Sequence, residues 1–184
     1  MIVVVADDFT GAAELAGICH RCGLSTELQS GGVEDADVQV LILDTNTRMV
    51  APEEARPKVH ELALEVREFP TDWVYKKIDS VLRGNVLDEL DALCAGLGKG
   101  RALLVPGNPG LGRVVRDGKL FVDGVLLDRT PFVHDPEFRV VSPEVLTLLG
   151  APSRPEVVLA SPGDPLPFAK VVVAQALSLI HISE

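Results

Sequence analysis

Short apolar runs alternate along the chain with segments in which apolar residues recur at helical spacing. Six runs have the length and composition of strands: residues 2–5, 25–28, 38–43, 73–75, 101–105 and 157–160. The first and third runs are continuously apolar or nearly so, as expected of strands that a parallel sheet buries on both faces. The pattern therefore predicts a sheet whose strands are separated by helices.

The segment after the first run predicts an amphipathic helix. Its apolar residues are spaced by three or four: Leu15, Ile18, Cys19 and Cys22. This spacing puts them on one helical face. Thr10 precedes the segment and is the expected N-cap residue.

Two later segments predict helices in the same way. One presents Val59 and Val66 on its apolar face, and the other covers residues 86–97. Pro57 lacks a backbone N–H and fits poorly inside a helix. The regular part of the first of these helices therefore either begins near Arg56 or follows kinked first turns.

The last third of the chain adds a different pattern. Residues 119–127, with Asp123-Gly124 at their centre, predict a β-hairpin. Ser142 followed by Pro143 predicts the start of a short helix. Together with the alternating strands and helices, these signals predict an α/β fold. It has a mostly parallel sheet flanked by helices in three layers, with the hairpin as an insertion.

Composition limits what such a domain can do. The chain has 184 residues, 47% apolar and 24% charged, as expected of a globular protein with a sizeable core. A net charge of −10 disfavours nucleic acid and anionic membranes as partners, although local basic groups can still bind a small anion. No apolar run reaches the roughly 18 residues of a membrane span. Three cysteines form no even set, and we expect a cytoplasmic protein.

The stretch Cys19-His20-Arg21-Cys22 matches the C-x-x-C pattern of metal and redox sites. Both cysteines fall on the apolar helix face, near the helix C-terminus, where the dipole disfavours a thiolate. Cys94, His60 and His134 are scattered, so no second ligand pair has zinc-like spacing. We interpret the cysteines as structural and predict no metal site.

The loops after four of the predicted strands are rich in polar side chains. They begin near Asp7, Asp44, Lys76 and Pro106. In open α/β sheets, ligands bind in the crevice at the carboxyl ends of the strands. We therefore predict one site for a small hydroxylated acid, built from all these loops: Asp7, Asp8, Arg48, Lys77, Asp79, Arg83 and Arg113.

Asp7 and Asp8 lie between a buried strand and a helix N-terminus. Carboxylates in such a place are costly to bury without partners. Helix capping explains one of them. The second suggests a metal, a polyol or a basic partner.

The stretch 75–85 combines two lysines, an aspartate, a serine, an arginine and an asparagine between a strand and a helix. One interpretation is a charged surface loop with an ion pair between Asp79 and Arg83. The other is a loop that binds a polyol and an anion. Its cations would hold a carboxylate or phosphate, and its carboxylate and amide groups would hold hydroxyls. The other polar loops favour the second interpretation.

Residues 107–113 nearly match the P-loop pattern G-x-x-x-x-G-K-[ST]. However, Arg113 replaces the lysine, Val114 replaces the hydroxyl that would hold magnesium, and a strand is predicted to follow. A P-loop for ATP is therefore disfavoured. Binding of a ligand anion by backbone N–H groups of this glycine-rich stretch is left open.

Four stretches resemble, in the right order, the signatures of the four-carbon acid sugar kinase family: residues 6–12, 44–48, 75–85 and 106–113. Residues 130–136 followed by Ser142 are similar to the family's next segment. The resemblance covers roughly residues 2–143, which makes it far more specific than any single motif. The chain departs from the family at Val81, where threonine is usual.

The resemblance implies an ATP-dependent kinase that phosphorylates sugar acids such as threonate, erythronate or 3-oxo-tetronate. It also implies a set of substrate-binding residues: Asp8, Arg48, Lys77, Asp79 and Arg83. Secondary candidates are Asp7, Lys76, Asn85 and Arg113. The cationic groups would bind the carboxylate and the acidic groups the hydroxyls. No general base is identified.

Members of this family have an N-terminal sugar-binding domain and a C-terminal nucleotide-binding domain. The resemblance assigns residues 2–177 to the first of these and leaves the second outside this chain. Residues 178–184 look like translated adapter sequence, and we expect a non-native tail there. ATP and Mg2+ are implied for the full-length enzyme, and we expect this chain to bind neither. Its oligomeric state is left open.

Two alternatives are open at this point. Asp7, Asp8, Asp44 and Lys77 imitate the phosphoacceptor site of a response-regulator receiver domain. Against this, Arg48 and Arg83 would lie among groups that hold magnesium, and the chain is long for that fold. The other alternative is a sugar-acid-binding module without catalytic activity.

Overall fold

The computed structural model describes residues 1–160 and 171–174. The chain forms two compact units. The first unit consists of residues 1–78 and 84–100, and the second of residues 79–83 and the described residues from 101 onward.

The first unit is built on a parallel sheet of four strands: β1 (Ile2–Ala6), β2 (Thr26–Ser30), β3 (Val40–Asp44) and β4 (Trp73–Lys77). Their order across the sheet is β2-β3-β1-β4. β1 and β3 are the inner strands, and every residue of β3 is buried. This confirms the prediction from their aliphatic sequences.

Three helices cover the two faces of this sheet: α1 (Phe9–Arg21), α2 (Pro52–Arg67) and α3 (Val86–Gly96). Alternate residues of a strand point to opposite faces. Val4 and Ile42 accordingly pack with Leu15 of α1. Val3 and Leu41 pack on the other face with α2 and α3. The three layers confirm the predicted fold class.

The start and the end of α1 differ from the prediction. Its N-cap is Asp8, whose Oδ1 accepts a hydrogen bond from Gly11 N at 3.1 Å, and not Thr10. Cys19 packs against the sheet as predicted, but Cys22 is exposed. Cys22 is the C-cap residue, so it no longer shares the face of the regular helix.

α2 begins at Pro52 and contains Pro57, so the first of the two alternatives, a start near Arg56, is wrong. Proline at the first helical position is favourable and explains the earlier start. α2 approaches α3 closely at Gly96, where an added Cβ would lie 2.5 Å from the Ala63 Cβ. The contact between these helices therefore depends on a glycine.

Among the described residues, the second unit contains two sheets of three strands. One is parallel, in the order β5-β10-β9: β5 (Ala102–Leu104), β9 (Val157–Ala160) and β10 (Val171–Ala174). The other is antiparallel: β6 (Arg113–Arg116), β7 (Lys119–Val122) and β8 (Val125–Leu126). β5 therefore does not join the sheet of β1 and β3, although the sequence predicts one sheet edge for all four polar loops.

The hairpin predicted at residues 119–127 is confirmed as β7–β8, and β6–β7 forms another hairpin that the prediction omits. Both turns have the sequence Asp-Gly, and both residues of each have positive φ: Asp117-Gly118 and Asp123-Gly124. Two-residue turns of this kind favour this dipeptide. The same signal therefore identifies both hairpins.

The short helix α4 (Val145–Leu148) begins later than Ser142 predicts. The Ser142 Oγ accepts from Glu144 N at 3.1 Å, but Glu144 is the residue that precedes the helix. Ser142 thus stabilises the turn that leads into α4.

Two expectations concern residues outside the described ranges: the end of the sugar-binding domain at residue 177 and the tail at 178–184. None of the helices in the described ranges is both long enough and apolar enough to cross a membrane.

Candidate functional site

Arg48 lies between the carboxylates of Asp7 and Asp8, in the loops after β3 and β1. Its Nε and Nη2 donate to Asp7 Oδ2 and Oδ1 at 2.9 and 2.8 Å, and Nη2 also donates to Asp8 Oδ1 at 2.7 Å. The side chains of Arg48 and Asp7 are only 13% and 4% exposed. This is a two-point ion pair, the strong form of the contact. Of the three partners that the paired carboxylates suggest, the structure contains the basic one.

The backbone around this ion pair is also held in place. Asp7 O accepts from the N–H groups of Thr47 and Arg48 at 2.9 and 3.0 Å. Gly84 has φ +87°, and an added Cβ would lie 3.1 Å from the Arg48 Cγ and 3.3 Å from the Asp7 Oδ2. Position 84 therefore needs glycine for its conformation and for the space it leaves to the ion pair.

Lys77, the last residue of β4, is a second cation in the first unit. Its Nζ donates to Ile78 O at 2.9 Å and lies 4.0 Å from Glu14 Oε2. A Cβ added at Gly11 would meet both the Asp8 Oδ1 and the Lys77 Nζ within 3.5 Å. The Lys77 ammonium and the Asp8 carboxylate therefore flank the first turn of α1.

Lys76 has a different environment from its neighbour. Its Nζ lies 2.7 Å from Glu89 Oε2, and the two side chains are 5% and 1% exposed. The same Nζ donates to Lys77 O at 3.1 Å. The charge of Lys76, a secondary substrate candidate, is thus neutralised inside the first unit.

Asn85 and Glu89, one turn apart at the start of α3, both hold the loop after β3. Asn85 Nδ2 donates to Thr47 O and Val50 O at 3.2 and 2.8 Å. Glu89 Oε1 accepts from Thr47 Oγ1 at 2.7 Å. Glu89 is not among the site residues predicted from the sequence. Its signal is a carboxylate within a run of otherwise apolar, core-facing helix positions, which requires a buried partner.

In the second unit, Asp79 and Arg83 form the ion pair that one interpretation of the sequence predicts. Arg83 Nε and Nη2 donate to Asp79 Oδ2 and Oδ1 at 3.0 and 2.9 Å. The N–H groups of Val81 and Arg83 also donate to Asp79 Oδ2, at 3.1 and 3.2 Å. Burial raises the pKa of Asp79, but hydrogen bonds from Arg83 and its charge outweigh this and hold the pKa below its usual value. The carboxylate of Asp79 is occupied within its own loop.

Asp135 holds another part of the Arg83 guanidinium. Arg83 Nη1 donates to Asp135 Oδ2 at 3.3 Å, and Arg83 Cζ lies 5.8 Å from the centre of the Phe132 ring. Two backbone N–H groups, and after them Arg83, lower the pKa of Asp135. The hydrogen bond with Asp79 is the main cause that raises the pKa of Arg83. These contacts with carboxylates use three of the five guanidinium N–H groups.

The glycine-rich loop after β5 is closed on itself. Pro109–Leu111 forms a 3₁₀ turn, and β6 follows in place of a helix. Asn108 and Arg113 exchange two backbone hydrogen bonds of 2.8 and 3.0 Å, and the N–H groups of Leu111 and Gly112 also bond within the loop. The loop is therefore not a P-loop, and an anion site built from these four N–H groups is excluded.

The predicted site is divided between the two units. The first unit holds four of its members: Asp7, Asp8, Arg48 and Lys77. Asp79, Arg83 and Arg113 belong to the second. Within the part of the chain that the structure describes, no three His, Cys, Asp or Glu side chains are grouped so that they could hold a metal ion.

The order of the strands excludes the receiver alternative. Receiver domains have the flavodoxin-like order 2-1-3-4-5, in which β1 lies between β2 and β3. Here β3 lies between β2 and β1. Asp7 is moreover bonded to Arg48 through both carboxylate oxygens.

Comparison with known proteins gives consistent matches. Residues 2–167 match a family described as the sugar-binding N-terminal domain. A D-threonate kinase of Bordetella bronchiseptica is 34% identical over 157 residues, which cover 81% of this chain and 39% of that protein. A D-erythronate kinase of Heliobacterium modesticaldum is 33% identical, with 85% and 37% covered. A 3-oxo-tetronate kinase of Methylobacterium radiotolerans is 31% identical, with 93% and 42% covered. The chain spans about two fifths of the length of these relatives.

The fold is similar to that of a solved domain of unknown function from Bordetella bronchiseptica, a domain-swapped dimer with bound citrate. The two chains are 31% identical and superpose with a TM-score of 0.82. The match covers 96% of this chain and 48% of the other.

Proposed function

The chain belongs to the family of sugar-binding N-terminal domains of four-carbon acid sugar kinases, and from this we propose that it binds the sugar-acid substrate of such a kinase. Relatives named D-threonate, D-erythronate and 3-oxo-tetronate kinase support the proposal. The citrate bound to the structural relative, like a sugar acid, combines carboxylate with hydroxyl. A ligand with both groups suits the positive and negative side chains at the carboxyl ends of β1 and β4.

The observation that carries the proposal is the pair of opposite charges beside the first turn of α1. The ammonium of Lys77 suits the substrate carboxylate, and Asp8 Oδ2 suits a hydroxyl, since Oδ1 already accepts from Arg48 and Gly11. Arg48 compensates the charge of Asp7 and Asp8, which would otherwise repel an anionic ligand. We therefore assign Lys77 and Asp8 to direct contacts, with Arg48 beside them.

The remaining candidate residues are assigned either a contact with the carboxylate, a supporting role or no direct contact. Arg83 would bind the carboxylate through N–H groups that Asp79 and Asp135 do not use. Asp79 would orient Arg83, because its carboxylate already accepts four hydrogen bonds. Lys76 and Asn85 are assigned no direct contact, since Glu89 and loop carbonyls engage them. Arg113, whose Nη1 donates to Leu111 O at 3.0 Å, stays a secondary candidate.

We expect Lys77→Gln to weaken binding of threonate or erythronate at least tenfold. The change removes a charge-assisted hydrogen bond, which contributes on the order of 1.5–3 kcal/mol, and about 1.4 kcal/mol corresponds to tenfold in Kd. Calorimetric titration of the purified chain with each acid measures the effect. Lys99→Gln is the matched control, because Lys99 is exposed in the turn after α3 and the chemical change is the same.

Two results would count against this assignment in different ways. If the parent chain binds neither acid, nor 3-oxo-tetronate, the proposed function fails. If the parent binds and Lys77→Gln binds within twofold of it, Lys77 is not part of the site.

We also expect the purified chain to form no phosphorylated sugar acid when it is incubated with ATP, Mg2+ and threonate or erythronate. The kinase would need a nucleotide-binding domain, and we propose that it lies outside this chain, which spans about two fifths of its relatives. Mass spectrometry of the reaction mixture provides the measurement, with the full-length Bordetella kinase as positive control. By itself the chain would then act as a binding module without catalysis. A phosphorylated product from the chain alone contradicts this expectation.

A further inference from the structure

A buried carboxylate at the start of α3 touches the sequence neighbours of Arg48 and Lys77, the two cations of the proposed site in the first unit. Glu89 is 1% exposed, and its Oε1 accepts from Thr47 Oγ1 at 2.7 Å. Its Oε2 lies 2.7 Å from Lys76 Nζ. Thr47 directly precedes Arg48, and Lys76 directly precedes Lys77. One side chain is thus connected to both cations through adjacent residues.

On the Thr47 side, the chemistry determines which group donates. An ionised carboxylate only accepts hydrogen bonds, so the Thr47 hydroxyl donates to Glu89. The Thr45 hydroxyl then has one hydrogen for two acceptors, Thr47 Oγ1 at 2.6 Å and Ala6 O at 2.9 Å. These polar contacts lie between the end of β1, the loop after β3 and α3. The loop needs such support because Asn46, between the two threonines, has φ +48°, a sparsely populated conformation.

On the Lys76 side, the ammonium group that faces Glu89 also bonds to a backbone carbonyl. Lys76 Nζ donates to Lys77 O at 3.1 Å in addition to its contact with Glu89. A buried ion pair is often no more stabilising than apolar residues of the same volume. A gain in stability is therefore a weak reason for charged residues at positions 76 and 89. A better reason is that Glu89 accepts a hydrogen bond from the Thr47 hydroxyl and Lys76 donates one to Lys77 O, which apolar side chains could not do.

We propose that Glu89 is a positioning residue of the sugar-acid site, which orients Arg48 through Thr47 and Lys77 through Lys76. Glu89 makes no contact with the substrate. The inference rests on the proposed function, because the site that Glu89 orders is the sugar-acid site proposed above.

The first test removes the charge of Glu89. We expect Glu89→Gln to weaken threonate or erythronate binding at least tenfold in titrations well below the melting temperature of the variant. Asp88→Asn is the matched control, since Asp88 lies on the same helix, is 37% exposed and is 3.6 Å from Arg56. The control should bind within twofold of the parent chain.

The second test concerns the hydroxyl of Thr47. Valine keeps the shape of threonine without the hydroxyl, whereas serine keeps the hydroxyl. We expect Thr47→Val to weaken binding about tenfold, and Thr47→Ser to bind within about threefold of the parent. A role in packing alone predicts the reverse order, with valine as the milder change. If Glu89→Gln fails to fold, the two Thr47 variants still distinguish a positioning role from a role in packing alone.

Hydrogen exchange at the amides of Thr47 and Arg48 separates this inference from the proposed function. Both amides donate to Asp7 O in the folded chain. We expect them to exchange at least tenfold faster in Glu89→Gln and Thr47→Val, with or without a ligand. If the parent chain binds no sugar acid, the proposed function fails, but the exchange rates still decide whether Glu89 holds the Arg48 loop. Unchanged exchange, or binding within twofold of the parent in both variants, overturns the positioning role.

Discussion

Replacing Arg48 by methionine is expected to lower the free energy of unfolding by about 3–5 kcal/mol, the cost of leaving a buried charge without its partner. Methionine retains an apolar stem but leaves both oxygens of Asp7 without the guanidinium that binds them. The melting temperature should fall by on the order of 10 °C for a chain of this size. Sugar-acid binding should be lost as well, because Asp7 and Asp8 would then repel the ligand. Urea unfolding and calorimetric titration measure the two effects.

Two further variants show whether the charge is responsible. Arg56→Met makes the same change at a side chain that is 54% exposed, and a surface ion pair of this kind contributes only about 0–1 kcal/mol. Asp7→Asn combined with Arg48→Met should recover part of the lost stability, since the most buried unpaired charge is gone. If Arg48→Met costs no more than Arg56→Met, the ion pair is not what holds these loops.

Arg83→Ala is expected to lower the stability of the second unit by about 2 kcal/mol and to weaken sugar-acid binding about ten- to a hundredfold. The loss of stability follows from the bonds to Asp79 and Asp135. The loss of affinity follows from the proposal that other guanidinium N–H groups bind the substrate carboxylate. Lysine cannot reproduce the two-point geometry, so Arg83→Lys should restore only part of either quantity. A thermal melt and a titration of each variant test both parts.

Arg129→Ala is the matched control for this change, since Arg129 is an exposed arginine of the second unit. It should alter neither the melting temperature nor the dissociation constant. If Arg83→Ala melts lower but binds as the parent does, Arg83 is only a structural partner of Asp79 and Asp135. If it melts like the parent, the contacts with these carboxylates do not contribute to stability.

The stability part of this prediction depends on pH. Arg83 holds the pKa of Asp79 below its ordinary value of 3.8 in the folded chain, so the unfolded chain takes up a proton at Asp79 at higher pH. The stabilisation is therefore complete above the pKa that Asp79 has in the unfolded chain. It is lost as the pH falls through the lower pKa that Asp79 has in the folded chain. The difference in stability between the parent and Arg83→Ala should be largest near neutral pH and shrink below about pH 4.

Local signals in the sequence were sufficient for much of the fold. The aliphatic runs of β1 and β3 predict inner parallel strands, and the Asp-Gly dipeptides mark hairpin turns. β5 shows the limit of such signals. Its sequence predicts a strand, but a strand does not specify its partner, and β5 pairs with β10 about 70 residues away.

The candidate site likewise combines features that are local in the sequence with contacts between distant segments. The charged residues that follow the strands can be identified from the sequence, because charge and strand position are local properties. How those charges pair depends on the tertiary structure. Lys76 and Lys77 are adjacent in sequence, and alternation along a strand sends their side chains to opposite faces of the sheet. Helix packing then placed Glu89 beside Lys76 and the first turn of α1 beside Lys77. Partners on each face come from distant segments, so no local pattern could distinguish the buried structural lysine from the candidate ligand.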